Sequence, residues 1–140
     1  MTEDAVVLPD RPKPKGRYPH YRRAGDFIFV SGTTSRRPDD TYIGVIESQT
    51  GEVELDIKEQ TRATIKSIAT ILEAAGATLK DVVAISTFLT NMDDFEGYNQ
   101  AYGEFFDESG PARTTVGISQ LHHPHLLIEI TATAYQEKKS

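Results

Sequence analysis

No cysteine occurs in these 140 residues, which removes disulfides, thiolate metal sites and cysteine nucleophiles and fits a reducing compartment. Positive charge is also in short supply. Fifteen lysines and arginines against 21 aspartates and glutamates leave a formal net charge of -6 and a pI near 5.2, so a nucleic-acid footprint with its clustered basic face is not expected. Arg22, Arg23, Arg36 and Arg37 make locally basic spots suited to small anions instead. Long apolar runs are missing. Met1 to Lys15 is polar and proline-containing, which speaks against a signal peptide or membrane contact and makes a soluble cytoplasmic protein the expectation. There is no internal repeat, low-complexity tract or cofactor motif, and the length suits one domain with one core.

Within that domain the elements are marked locally. Pro9, Pro12 and Pro14 forbid regular helix and predict an extended arm over residues 1–15, placed to touch a neighbouring subunit, ahead of a single domain over 16–140. Phe27 to Gly32 predicts a strand ending where Gly32 permits close backbone approach. Ser35 to Asp40 reads as a loop, Tyr42 to Ile46 as a weak strand, and Gln49 to Glu52 as a turn. Asp56 to Ala75 is the clearest helix, with Ile57, Ile65, Ile68, Ala69, Leu72 and Ala75 mostly on one face, Asp56 and Glu59 at its start and Gly76 as a left-handed stop. Val82 to Thr90 predicts a strand. Asn91 to Asp94 cap a second helix, which carries Phe95, Tyr98, Tyr102, Phe105 and Phe106 as a core-facing stripe and is expected to end at Gly110-Pro111.

The last strand separates two faces. Leu126, Ile128, Ile130, Ala132 and Ala134 point one way and Leu127, Glu129, Thr131, Thr133 and Tyr135 the other. Two helices cover one side of a four- to six-stranded sheet, so the face bearing Glu129 is left for another copy, with Glu129 near the interface edge. Arg113, sixteen residues before Glu129, places a guanidinium and a carboxylate at the two ends of a predicted β-hairpin. An arginine fork matches a carboxylate bidentately, and a glutamate on an apolar strand can hold a water.

Gly16-Arg17-Tyr18, Val30-Ser31-Gly32, Glu73 to Gly76, Tyr98-Asn99, Pro111-Ala112-Arg113 and Ile128-Glu129-Ile130 together resemble the reactive intermediate/imine deaminase (RidA) family over about Gly16 to Tyr135. The resemblance implies an α+β, chorismate-mutase-like mixed sheet with two helices on one face. It also implies a homotrimer with sheets facing inward, or a hexamer of two trimers, with active sites in the clefts between subunits. Arg113 would grip the substrate carboxylate and Glu129 would position water or shuttle a proton, while Tyr18, Ser31, Gly32 and Asn99 line the pocket. Thr115 stands where many members have cysteine, and Thr131 replaces a second acidic residue. The insertion between Gly32 and Gly51, carrying Arg36-Arg37, and the segment Leu121 to His125 resemble the 2-aminomuconate deaminase branch, which hydrolyses an enamine dicarboxylate in aromatic-compound or tryptophan catabolism.

The chemistry needs neither metal nor pyridoxal phosphate, because the imine tautomer of such an enamine is already electrophilic. Arg113 would fix the carboxylate beside the reacting carbon, and Glu129 would move protons between water and departing nitrogen. The bland alternative is an Arg113–Glu129 ion pair at an interface. A dicarboxylate needs a second cation, for which Arg17, Arg22, Arg23, Arg36, Arg37 or a histidine are candidates. His122, His123 and His125 have no nearby acidic partner and Pro124 breaks any helix, so they are expected to tune the pocket rather than bind metal. Ser31 lacks a nucleophile-elbow pattern and is expected to bind substrate. General hydrolysis of 2-iminobutanoate or 2-iminopropanoate is the alternative enzyme reading, and a non-catalytic binder of small acids or a chaperone-like trimer the alternative outside enzymes.

Overall fold

A computed structural model of the chain describes residues 4–138; residues 1–3 of the expected arm, and 139 and 140, lie outside the described part. The elements run β1 (Ala5–Val6), β2 (Tyr21–Ala24), β3 (Phe27–Thr33), β4 (Val45–Glu47), β5 (Val53–Leu55), α1 (Ile57–Ala74), β6 (Val82–Leu89), α2 (Phe95–Tyr102), β7 (Ala112–Gly117) and β8 (Ile128–Tyr135). Six strands form one sheet in the order β1-β2-β3-β8-β6-β7, and β4 with β5 forms a separate hairpin. Neighbours in the large sheet are antiparallel except β6 and β7, which are parallel. The fold is therefore α+β with a mixed sheet and both helices on one face, as the sequence predicts.

Local chemistry explains the best-marked elements. The Asp56 side chain accepts the Glu59 N–H at 3.1 Å, satisfying one of the orphan donors of α1. Gly76 stops that helix at φ +84°, the left-handed geometry glycine adopts freely. Ile65, Ile68, Ile71 and Leu72 of α1 are buried with Ile28, Val30, Ile128 and Ile130. Each such side chain contributes about 1.5–3 kcal/mol by leaving water. The alternation of β8 holds, with Ile128, Ile130, Ala132 and Ala134 buried and Tyr135 43% exposed.

Three expectations are corrected. The Arg113 and Glu129 strands do not form a hairpin, because β6 lies between β7 and β8. The β6–α2–β7 segment is a strand–helix–strand unit, and a helical connection returns the second strand parallel to the first. The second helix ends at Tyr102 rather than Gly110, the chain passing through turns in which Gly103, Glu104 and Phe105 N–H groups bond to Asn99, Ala101 and Tyr102 carbonyls. Glycine weakens the helix there, yet Phe105 and Phe106 still pack on the core. The weak strand at Tyr42 to Ile46 begins at Val45, because Gly44 has φ +81° and a Cβ there would lie 2.6 Å from Gln60.

Residues 4–15 run along the sheet edge and back over α1. Ala5 and Val6 pair with Arg22 and Tyr21, Leu8 packs on the core, and Arg11 Nη1 reaches Ser67 Oγ at 3.4 Å. His20, 8% exposed, pins this segment: its Nδ1 accepts the Leu8 N–H at 2.9 Å, and its Nε2 lies 2.7 Å from the Pro12 carbonyl. Because Nδ1 must be the acceptor, Nε2 carries the proton and donates it. Among the described residues no helix is long and apolar enough to cross a membrane.

Candidate active site

Glu129 projects from the open face of β8, opposite Phe88 of β6. Beside it the β3–β8 register shifts between Val30 and Thr33, which leaves Ser31 and Gly32 bulged over the carboxylate. A Cβ on Gly32 would lie 2.6 Å from Glu129 Oε2 and 2.8 Å from its Cδ, so only glycine fits without moving the acid. Ser31 is committed to structure: its hydroxyl donates to the Pro19 carbonyl at 2.7 Å and its N–H to the His20 carbonyl at 3.0 Å. These bonds tie the bulge to the segment carrying Tyr18.

A cavity of about 200 Å³ opens above this bulge, lined by Glu129, Tyr18, Ser31 and Gly32 together with Lys15, Arg36 and His122. Three of these reach it from loops. The β3–β4 loop supplies Arg36 and the arm Lys15, while the β7–β8 loop supplies His122. Gln60, fully buried in α1, fixes that last loop by donating to the His125 carbonyl at 2.8 Å and accepting the Leu127 N–H at 2.9 Å. Tyr42 packs against His123 with ring centroids 4.6 Å apart. Among the described residues no three acidic or histidine side chains converge as a metal site.

The electrostatics of the cavity are uneven. Among the described residues Glu129 has neither an ion-pair partner nor a side-chain hydrogen bond, and burial raises its pKa above the ordinary carboxyl value. His122 shifts the other way, first through burial and then through the charges of Arg36 and Lys15. A carboxyl with a raised pKa and an imidazole with a lowered one thus face one space, an arrangement suited to acid–base work.

Arg113 lies elsewhere. In the parallel register it pairs with Ile85, as Thr115 does with Thr87, and both β6 residues point to the helix-covered side. Its guanidinium carbon sits 4.7 Å from the Tyr102 ring centroid, 4.9 Å from Tyr98 and 5.9 Å from Phe95. Tyr98 is oriented in turn by its hydroxyl, which donates to Thr87 Oγ1 at 2.7 Å and lies 3.1 Å from Thr115 Oγ1. Asn99 is on the same helix, between Tyr98 and Tyr102. The stripe expected to be core alone is thus also a cation–π cradle. The sequence carried only part of this signal, aromatics at helical spacing, and not the place of Arg113 above them.

The expected site residues therefore divide into two groups within one chain. Tyr18, Ser31, Gly32 and Glu129 come together, as do Arg113 and Thr115 around Tyr98, but the groups lie on opposite faces of the sheet; Asn99 follows Tyr98 on α2 and joins neither. Lys15 and His20 were missed by sequence reasoning, and Arg36 was one of five arginines weighed beside the histidines as the second cation.

The profile of the family described as endoribonuclease L-PSP matches residues 8–136. A RutC family protein of Pyrococcus abyssi is 41% identical, covering 98% of this chain and 100% of its own. The 3-aminoacrylate deaminase RutC of Acinetobacter baylyi is 33% identical over 93% of this chain and 96% of its own, and a 2-iminobutanoate/2-iminopropanoate deaminase of Dermatophagoides farinae is 30% identical over 83% and 84%. Among solved structures, RidA from an Antarctic Psychrobacter superposes with a TM-score of 0.76 at 27% identity, covering 94% of this chain and 98% of that one. Escherichia coli TdcF with bound serine gives 0.77 at 28% identity, covering 96% and 100%.

Proposed function

Since the chain belongs to the RidA family, the one described as endoribonuclease L-PSP, we propose that it is a cofactor-independent hydrolytic deaminase of enamine and imine acids. The observation that carries this is Glu129: a half-buried carboxyl with a raised pKa and no ion-pair partner among the described residues, seated over a glycine in a cavity. Relatives named as deaminases of 3-aminoacrylate and of 2-iminobutanoate support the reaction class.

In this reading the enamine tautomerises to the imine and water adds to the C=N carbon. Glu129 takes a proton from that water and returns it to nitrogen, giving the carbinolamine; it then passes the carbinolamine's hydroxyl proton to nitrogen as the C–N bond breaks, leaving the ketone and ammonia. Holding the acid in place and exchanging protons from one positioned carboxyl are the two contributions asked of the protein. Arg113 anchors the substrate carboxylate by its fork, steadied on the rings of Tyr98 and Tyr102.

The finer reading is 2-aminomuconate, hydrolysed to 4-oxalocrotonate and ammonia in aromatic-compound or tryptophan catabolism. It is supported by Arg36 and His122, which come from the two loops resembling that branch and line the same cavity as Glu129. Adding purified protein to freshly generated 2-aminomuconate and following ammonia should show acceleration over buffer. Release from 2-iminobutanoate at a higher kcat/KM would favour the general deaminase named among the relatives, and no release from either would remove the enzyme reading.

Because Arg113 and Glu129 lie on opposite faces within one chain, their joint action on one substrate requires Arg113 from a neighbouring copy. Phe27, Phe29 and Tyr135, each 43–46% exposed on the open face, offer an apolar surface for such a contact. A homotrimer with its sheets inward and clefts between subunits is the assembly that fits this requirement, and light scattering on the purified protein checks it.

A further inference from the structure

Resting on that deaminase reading, we infer that Arg36 and Lys15 form a second anion site in the Glu129 cavity. The acids processed there accordingly carry another negative group remote from the C=N carbon. Arg36 is 11% exposed at its side chain although it stands on a loop. Its Nη1 donates to Asp40 Oδ1 at 2.7 Å and its Nη2 to the Lys13 carbonyl at 2.6 Å. A guanidinium has five N–H donors, so three remain, and among the described residues no other protein acceptor meets them.

The counterion does not account for the charge. Asp40 is 60% exposed and shared by two cations, bonded to Arg36 and 4.0 Å from Lys15 Nζ, so one solvated carboxylate faces two positive charges, and its exposed pairing with Lys15 neutralises little. Arg11 adds a third cation to the wall, its Nε buried without a partner. Against these the cavity holds one carboxyl, Glu129, which pairs with none of them among the described residues. The lowered pKa of His122, to which Arg36 and Lys15 contribute after burial, reports the same positive field from within the space.

The site is also held rigid. Arg36 grips the Lys13 carbonyl while His20 grips that of Pro12, so the backbone is held two and three residues before Lys15, and an anion meets the Arg36 donors already in place. A cavity of about 200 Å³ suits a small acid, below the range of drug-sized ligand pockets.

Binding of two inert six-carbon probes to the full protein, hexanedioate and hexanoate, tests the inference by calorimetry without turnover. The wild type should bind hexanedioate roughly tenfold or more tightly, the worth of one charge-assisted contact. Arg36→Gln should reduce that ratio to about one, and Arg36→Lys should restore part of it by keeping charge without the fork. Lys15→Gln, which removes no bond to the arm, should lower the ratio by a few-fold. Equal wild-type affinity for the two probes, or an unchanged ratio in both Arg36→Gln and Lys15→Gln, would overturn the second anion site. Absence of ammonia release with the preference intact would instead remove the deaminase reading alone.

Discussion

The Glu129 cavity and the Arg113 edge solve one problem in opposite ways. At the first, a carboxyl is half buried and, among the described residues, given no counterion, with glycine beneath it and cations across the space. At the second, a guanidinium meets no carboxylate among the described residues and is held by the faces of Tyr98 and Tyr102. Ring faces orient a cation without consuming its N–H donors, whereas an ion pair would occupy them. Each half thus keeps its reactive group free for a ligand, and neither half alone both grips an acid and moves a proton.

The largest effect should come from the cavity. Glu129→Gln retains shape and removes the proton carrier, so kcat should fall about 10²–10⁴-fold; full turnover in that variant would show that another group does the acid–base work. At the other end, Arg113→Lys keeps charge but loses the planar fork and its stacking. We expect kcat/KM to drop by about 10²-fold, chiefly through KM, with the loss read from initial rates across substrate concentration.

Gly32→Ala sharpens the comparison because it touches only the cavity. Its new methyl must displace a carboxylate oxygen lying 2.6 Å away, and a shift of about 1 Å in a catalytic group costs up to about 10²-fold. Turnover should fall while Arg113-dependent binding of an unreactive acid persists; an unchanged rate would mean that the position of Glu129 is not critical.

A smaller effect concerns stability. The folded pKa of Glu129 is raised by burial, so the native state holds its proton more tightly than the unfolded chain, and the carboxyl's contribution weakens as pH rises through that window. Burial makes the ionised form a cost, so Glu129→Gln should melt at a higher temperature than wild type once pH rises above the ordinary carboxyl range. That advantage should shrink as pH falls below the ordinary carboxyl range. A lower melting point at neutral pH would imply a favourable partner for the carboxylate.

Much of the fold is written locally. Asp56 and Gly76 bracket α1, and the alternation through β8 separates Glu129 from the core. Pairing is not written that way. The spacing between Arg113 and Glu129 suits a hairpin, but which strands become neighbours depends on where α2 returns the chain, and that crossover inserts β6 between them. The aromatic stripe was legible as apolar but not as a cation cradle, because hydrophobicity does not reveal what lies above a ring. Lys15 and Arg36 reach the cavity through loops whose course is set by tertiary contacts such as His20 to Pro12.

The central claim is that the two halves meet across copies, and subunit mixing tests it most directly. Arg113→Ala and Glu129→Gln chains, each nearly inactive alone, would be co-assembled in equal amounts, with mixed trimers verified by mass. About three quarters of randomly assembled trimers are mixed, each holding one cleft with both native groups, so activity should recover to about a quarter of wild type. Activity no greater than the average of the two parents, in assemblies shown to be mixed, would contradict a site shared between subunits.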